Sequence, residues 1–370
     1  MIFSILEMSL NNLIKIIFNE YINNGIIFFL LLISISACNE NIVEPEIKTN
    51  TIFYTSDKDG NKDSILTSII NHDVFSMSSN GEDQINLTNS PNKNFWLTAL
   101  STVSKKILFS NSSPKASYYL SMNINGTQKR IVTSTLGRNF DASLSPDGQY
   151  FVFVFQHPQN DIVIKNINGT TVINLTSKYK IEGVYPKFSY DGEKICFTGY
   201  KTFLAKGKIF IIDRNGSNLR QLTDDTLSYY HNIFSLDNKQ IFFTGWRKGW
   251  GNEIFSINVD GSNYKQLTIG NSQYINAPLN LSPDGKKLLF SRFDENSSNI
   301  FSMDIDGTNL IQLTSCKEAD SPIYTQDGRK IIYVKKVNDV FQIFEMNSDG
   351  TNKRNLSNNN YNNFHPIPNY

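Results

Sequence analysis

The chain has few cysteines. Only Cys38, Cys196 and Cys316 occur among its 370 residues, too few and too scattered for the disulfide framework of a small secreted domain. Cys196 lies within the apolar run KICFTG and is predicted to be a small buried side chain. The fold must therefore depend on a hydrophobic core, and aromatic residues at 12% provide the ring surface typical of sheet-rich proteins.

Net charge is almost absent as well. The 35 Lys and Arg side chains are balanced by 34 Asp and Glu, which gives a formal net charge of +1. A near-neutral chain has no sequence-independent attraction for nucleic acid or acidic lipid. We therefore expect no nucleic acid among its partners.

The sequence also lacks the common catalytic signatures. It contains no G-x-S-x-G nucleophile elbow, no C-x-x-C pair, no H-E-x-x-H zinc motif and no Walker loop. No catalytic residue and no cofactor are predicted from motifs. This favours a protein that binds a partner over one that catalyses a reaction.

Helical periodicity is absent after residue 50, and a repeat takes its place. A turn-forming motif recurs about every 45 residues, the interval typical of repeat architectures. Its copies are NGEDQINLT (80–88), NGTQKRIVT (125–133), NGTTVINLT (168–176), NGSNLRQLT (215–223), DGSNYKQLT (260–268), DGTNLIQLT (306–314) and DGTNKRNLS (349–357).

A second motif has the same period. It reads SPDG at 145–148 and 282–285, SYDG at 189–192, SLDN at 235–238 and TQDG at 325–328. Between the two motifs lie short apolar runs such as KKLLFSR and NIFSMDI, so one period contains four strands joined by Asp-Gly and Asn-Gly turns. Four short strands per period is the pattern of a propeller blade.

The ordered recurrence of SPDG, IFSM and DGTNLIQLT resembles the PD type of WD-like propeller repeat, found in TolB and in the propellers of the prolyl oligopeptidase family. The resemblance covers about residues 51–370. From the period we predict an all-β, seven-bladed propeller of four-stranded antiparallel blades, with six or eight blades as alternatives. HPIP (365–368) matches the start of an inner strand, so the C-terminal segment is expected to complete blade one and close the ring.

The N-terminal segment carries a different signal. The stretch GIIFFLLLISISACNE (25–40) resembles a bacterial lipoprotein signal with its lipobox ending at Cys38. The resemblance implies a signal peptide at 1–37, a lipidated Cys38 and a polar tether over 38–50. An uncleaved anchor or an ordinary secretory signal is the alternative. The implied location is the bacterial cell envelope, facing the periplasm or cell surface, with the outer membrane favoured.

The loops opposite the repeated turns are rich in rings and basic residues. In a four-stranded blade both motif turns lie on one face, so the variable loops share the other face, where binding usually resides. The predicted binding face consists of Tyr200, Phe203, Tyr229, Tyr230, Trp246, Arg247, Lys248, Trp250 and Tyr274. Such residues suit a sugar or an acidic peptide, and the alternative is that they only pack against each other.

All four histidines of the chain are expected near this variable face. They are His72, His157, His231 and His365. If they converged on the central channel they could hold a divalent metal, as histidines do in some pectin-degrading lyases whose fold is similar. Scattered surface histidines are the alternative.

Two functions remain open at this point. The first is a non-enzymatic binding or scaffold propeller, monomeric and tethered to the membrane only through its lipid, that contacts an envelope protein, peptide or glycan with its variable face. The second is a polysaccharide lyase or hydrolase with a histidine metal site at the channel.

Overall fold

A computed structural model of the chain describes residues 50–58, 71–90, 93–112, 117–133, 137–168, 172–201, 205–224, 226–247, 251–269, 275–293, 297–316 and 318–369. These residues belong to one compact unit, Ile47–Tyr370. The signal peptide and Cys38 predicted from the sequence lie outside the described residues.

The described chain is almost entirely β-strand, with one 3₁₀ helix at Ser177–Tyr179. The strands of the first half are β1 (Thr51–Ser56), β2 (Asp73–Ser78), β3 (Ile85–Asn86), β4 (Phe95–Ser101), β5 (Lys106–Ser112), β6 (Ser117–Asn123), β7 (Arg130–Ile131), β8 (Arg138–Leu144), β9 (Tyr150–Gln156), β10 (Asn160–Asn166), β11 (Val172–Asn174), β12 (Glu182–Phe188), β13 (Lys194–Tyr200) and β14 (Lys208–Asp213). Those of the second half are β15 (Arg220–Gln221), β16 (Ser228–Phe234), β17 (Gln240–Arg247), β18 (Gly251–Asn258), β19 (Lys265–Gln266), β20 (Ile275–Leu281), β21 (Lys287–Phe293), β22 (Ser298–Asp304), β23 (Ile311–Gln312), β24 (Ala319–Tyr324), β25 (Lys330–Val337), β26 (Val340–Asn347), β27 (Arg354–Asn355) and β28 (Asn363–Pro368).

Within the described residues these strands form seven antiparallel groups of four. Group one is β28-β1-β2-β3, and groups two to seven follow in chain order from β4–β7 to β24–β27. Groups two and three are joined into one sheet by a single parallel pair, Ser117 with Arg138. The all-β class and the four-stranded antiparallel groups confirm the predicted propeller architecture.

The C-terminal strand closes the ring. β28 pairs with β1, with Ile52 opposite Pro368 and Ser56 opposite Asn363, as the sequence predicted. The innermost strands β28, β4, β8, β12, β16, β20 and β24 each contact the next around a complete cycle, so they surround the central channel of the propeller.

The hydrophobic core lies between the groups. Successive side chains of a strand point to opposite faces of a sheet, so Leu288 and Phe290 of β21 pack against group five while Leu289 packs against group seven. A further cluster joins groups seven and one through Ile332, Ile343 and Leu356 and their partners Ile52 and Tyr54. Each pair of neighbouring groups is thus held together by buried apolar contacts.

The last residue of the longer repeated motif holds the outer strand. The Thr268 hydroxyl accepts a hydrogen bond from the Ile254 backbone N–H at 2.9 Å and donates to the Glu253 carboxylate at 2.5 Å. The equivalent residue of every group accepts a backbone N–H in the same way, which explains why the motif ends in Thr or Ser. These residues are Thr88, Thr133, Thr176, Thr223, Thr268, Thr314 and Ser357.

The motif glycine allows neighbouring groups to approach closely. Gly307 has φ +90°, and a Cβ there would lie 3.0 Å from the Leu267 carbonyl oxygen of the preceding group. At the closing seam the approach is tighter, because a Cβ on Gly81 would lie 2.1 Å from the carbonyl oxygen of Leu356. Only glycine fits both the backbone angle and the space at these positions.

Candidate functional site

The inner strands share a bulge that places a side chain at the channel. In all seven groups the pairing with the second strand shifts near the middle of the inner strand. In five of these groups a residue of the bulge has a left-handed backbone, with φ between 49° and 54°. The five residues are Asp141, Tyr185, His231, Ser321 and His365.

The left-handed backbone conformation distinguishes these five side chains from the rest of the inner strands. A glycine would adopt a positive φ without steric cost, whereas other residues do so at a cost of about 1 kcal/mol or more. None of the five positions is glycine, and every one carries a polar or titratable group. Strained non-glycine residues of this kind concentrate at functional sites.

Groups three to five bring the densest set of these groups together. The Tyr185 and His231 ring centroids lie 4.7 Å apart. The Tyr185 backbone N–H donates to the Asp141 carboxylate at 3.3 Å, and the Asn232 amide donates to the Tyr185 carbonyl at 3.2 Å. The His231 Nδ1 atom lies 3.4 Å from the Thr244 hydroxyl. We call Asp141, Tyr185, Lys187 and His231 the mouth cluster.

Burial shifts the ionisation of every member of the mouth cluster toward its neutral form. It raises the pKa of Asp141, although the Tyr185 N–H and Lys187 partly offset this effect, and it raises the pKa of the Tyr185 phenol. It lowers the pKa of Lys187 and of His231. Water reaches the Lys187 side chain, which is exposed, while the surrounding protein desolvates its ammonium. Lys187 lies opposite Cys196 in the sheet, and Cys196 packs against group five, so the Lys187 side chain is on the face of β12 toward His231.

Two rings of the predicted binding face lie beside the mouth cluster. Tyr200 and Tyr230 are half-buried, and the Tyr230 hydroxyl bonds the Ser228 hydroxyl at 2.6 Å. Burial, Tyr230 and Tyr185 together raise the pKa of the Tyr200 phenol. These two predicted residues are therefore grouped with Tyr185, which the sequence prediction did not include.

The prediction for Tyr229 is wrong. Its side chain is completely buried in the core between groups four and five, where its ring meets Phe243 edge-on at 5.4 Å. Neighbouring residues of a strand point to opposite sides, so Tyr229 packs into the core while Tyr230 lies on the other face, near His231.

The other predicted ring and basic residues are described only in part. Trp246 is 45% exposed near the end of β17, and Arg247 is the last residue of that strand. Phe203, Lys248, Trp250 and Tyr274 lie outside the described residues. A binding role for these six residues remains a prediction.

The histidines divide among separate places. His72 and His365 both contact Trp96, with ring centroids 4.3 and 5.5 Å from it, while His231 belongs to the mouth cluster. His157 stacks on Phe155. In the described part of the chain no three His, Cys, Asp or Glu side chains are arranged to hold a metal ion.

A cavity of about 440 Å³ lies on the opposite face, between groups six and seven. Its carboxylates Asp284 and Asp327 accept hydrogen bonds from Ser282 and Thr325 of their own turns, both at 2.6 Å. These carboxylates therefore hold the turns, and the mouth cluster is the stronger candidate for a site.

A sequence signal for the mouth positions exists but is subtle. Asp141, Tyr185, His231 and Ser321 each stand four residues before the Ser or Thr that opens the shorter repeated motif. That register could have identified Asp141 and Tyr185. Lys187 carries no such signal, because its place in the channel follows from the bulge at Tyr185.

None of the helical segments in the described ranges is long and apolar enough to cross a membrane.

Comparison with known proteins agrees with the fold. The structure is similar to a TolB protein of Agrobacterium tumefaciens (21% identity, TM-score 0.50, 62% of this chain and 84% of that one). It is also similar to TolB of Acinetobacter baumannii (20% identity, TM-score 0.54, 80% and 78%) and to an oligogalacturonate lyase in complex with manganese (15% identity, TM-score 0.61, 76% and 80%). These likenesses show the fold alone. Residues 143–367 match the family model PD40, the TolB beta propeller domain, and the chain belongs to that family.

Proposed function

We propose that the protein is a non-enzymatic binding propeller of the bacterial cell envelope, tethered through Cys38, that contacts a partner with its variable-loop face. The observation that carries the proposal is the mouth cluster, in which Asp141, Tyr185 and His231 are held at the channel in strained backbone conformations that glycine would adopt more easily. Membership of the TolB propeller family supports a binding role.

The variable face also carries an exposed ring that can contact a partner. Trp246 is 45% exposed at the end of β17, the same end of the blade as Tyr200 and Tyr230. Large amphipathic rings are frequent anchors of protein interfaces. The repeated turns of the other face are instead occupied by their own hydrogen bonds.

The test compares one substitution on each face. Trp246→Glu places a charge on the variable face, and Val103→Glu places one on the turn face, where Val103 is 71% exposed between β4 and β5. Each tagged protein is used to recover partners from detergent-solubilised envelope. We expect Trp246→Glu to lose partners that wild type and Val103→Glu both retain. Loss with Val103→Glu alone would assign binding to the turn face and refute the proposal.

A further inference from the structure

We propose that Lys187 anchors a carboxylate of an acidic peptide at the channel mouth, beside Tyr185 and His231. This inference rests on the proposed function and names the ligand class of its site. Two observations support it. Lys187 differs from the paired lysines beside the repeated turns, and the mouth cluster supplies polar atoms of a suitable kind.

Lys187 lacks a direct anionic partner among the described residues. Lys194, Lys287 and Lys330 are held by Asp213, Asp304 and Glu345 at 2.5, 2.7 and 2.6 Å. For Lys187, by contrast, no carboxylate among the described residues lies within ion-pair distance. Asp141 is near enough to affect the Lys187 ammonium, but its carboxylate accepts the Tyr185 N–H. A ligand carboxylate would supply the missing direct partner and form a charge-assisted hydrogen bond.

The polar groups of the mouth cluster beside Lys187 are suited to an acceptor-only ligand. The Tyr185 phenol and the His231 imidazole can each donate a hydrogen bond, and an ionised carboxylate accepts several. A carboxylate in a partly desolvated channel gains more from such donors than it would in water.

The rings favour a peptide over a glycan. Sugar stacking needs an open aromatic face, yet the Tyr185 ring lies 4.7 Å from His231, and the Tyr230 ring lies 6.4 Å from the same imidazole. Part of the Tyr185 face is therefore occupied by His231, whereas the phenol and imidazole edges carry the polar atoms. An acidic side chain on an extended peptide can reach such edges without a stacking platform.

The test uses two acetylated and amidated pentapeptides that differ only in having two glutamates or two glutamines. Titration calorimetry measures their affinity for wild type, Lys187→Met, Lys187→Arg and the exposed control Lys201→Met. We expect wild type to prefer the glutamate peptide by about tenfold, the size of one charge-assisted contact. The preference should fall below about twofold in Lys187→Met and persist in Lys187→Arg and Lys201→Met. Thermal melting confirms that each variant is folded.

Several outcomes would overturn the inference. Equal affinity for both peptides in wild type, no binding of either at about 1 mM, or an unchanged preference in Lys187→Met would each do so. Binding of a uronic acid trisaccharide that depends on Lys187, without peptide binding, would assign the site to a glycan instead. The envelope recovery with Trp246→Glu is read separately, so the proposed function can stand where this ligand assignment fails.

Discussion

Substitution of Gly81 by alanine tests how tightly the ring closes. Gly81 has φ +91°, and a Cβ at this position would lie 2.1 Å from the Leu356 carbonyl oxygen and 2.9 Å from its carbonyl carbon. The matched position Gly216 has φ +83°, but its nearest neighbour would be a Leu175 methyl at 3.5 Å, an ordinary contact. The two substitutions therefore share the backbone penalty and differ in the steric clash.

The magnitudes follow from this difference. An alanine at positive φ costs about 1 kcal/mol, which is the expected loss in the free energy of unfolding for Gly216→Ala. Gly81→Ala adds an overpacking term of about 1–3 kcal/mol, because a backbone carbonyl cannot rotate away as a side chain can. We expect Gly81→Ala to lose about 2–4 kcal/mol in total.

Urea denaturation followed by Trp fluorescence measures both variants against wild type. The m-value should be the same in all three, so that a shift of the midpoint reports stability. Equal losses in the free energy of unfolding for Gly81→Ala and Gly216→Ala would show that the close approach of Gly81 to Leu356 does not exclude a side chain, which would refute this explanation of the glycine.

Three further predictions concern the repeated contacts. Thr268→Val should lower the free energy of unfolding by about 2–3 kcal/mol, because it leaves the buried Glu253 carboxylate without the Thr268 hydroxyl. Thr223→Val should lower it by about 1 kcal/mol, and equal losses for the two variants in urea denaturation would contradict this. Glu345→Ala should lose about 2 kcal/mol of unfolding free energy, because the charge-assisted contacts of a buried carboxylate are removed while the half-exposed Lys330 and Arg354 are left to water; an unchanged unfolding midpoint would refute it. The Thr308 hydroxyl lowers the pKa of Asp306 below its ordinary value of 3.8. The stability contributed by the hydrogen bond to ionised Asp306 is therefore present above pH 3.8 and is lost as the pH falls. Thr308→Val should therefore show a smaller drop in melting temperature between pH 6 and pH 2.5 than wild type, and an equal or larger drop would contradict the assignment.

The strand pattern was predictable because local chemistry determines it. Each period contains turn residues that few other conformations accommodate, and the apolar runs between them alternate inward and outward. The loop after β22 is longer than the tight hairpin that Asp-Gly suggests. β22 ends at Asp304 and β23 begins at Ile311, with both Gly307 and Asn309 at positive φ. The conformation of this longer loop depends on contact with the preceding group, where Gly307 lies against Leu267, so the sequence of one repeat does not predict it.

The candidate site was less predictable because it depends on orientation. Tyr229 and Tyr230 are adjacent and chemically alike, yet one is in the core and the other lies beside His231, since successive side chains of a strand point to opposite faces. Lys187 is similarly brought near His231 of the next group only by the packing of inner strands. Residue types alone identify candidates, whereas bulges and neighbouring groups decide which of them meet.

The pairing of β28 with β1 has a consequence for protein synthesis. Roughly 300 residues separate the two strands, and at ribosomal rates of about 5–20 residues per second β1 waits on the order of 15–60 seconds for its partner. During that time β1 has no hydrogen-bonding neighbour on its inner side, although its other side can already pair with β2. A chain truncated before residue 363 cannot supply that neighbour, so premature termination leaves an adhesive strand edge that chaperones or proteases can recognise. The closing strand thus distinguishes a finished polypeptide from an interrupted one.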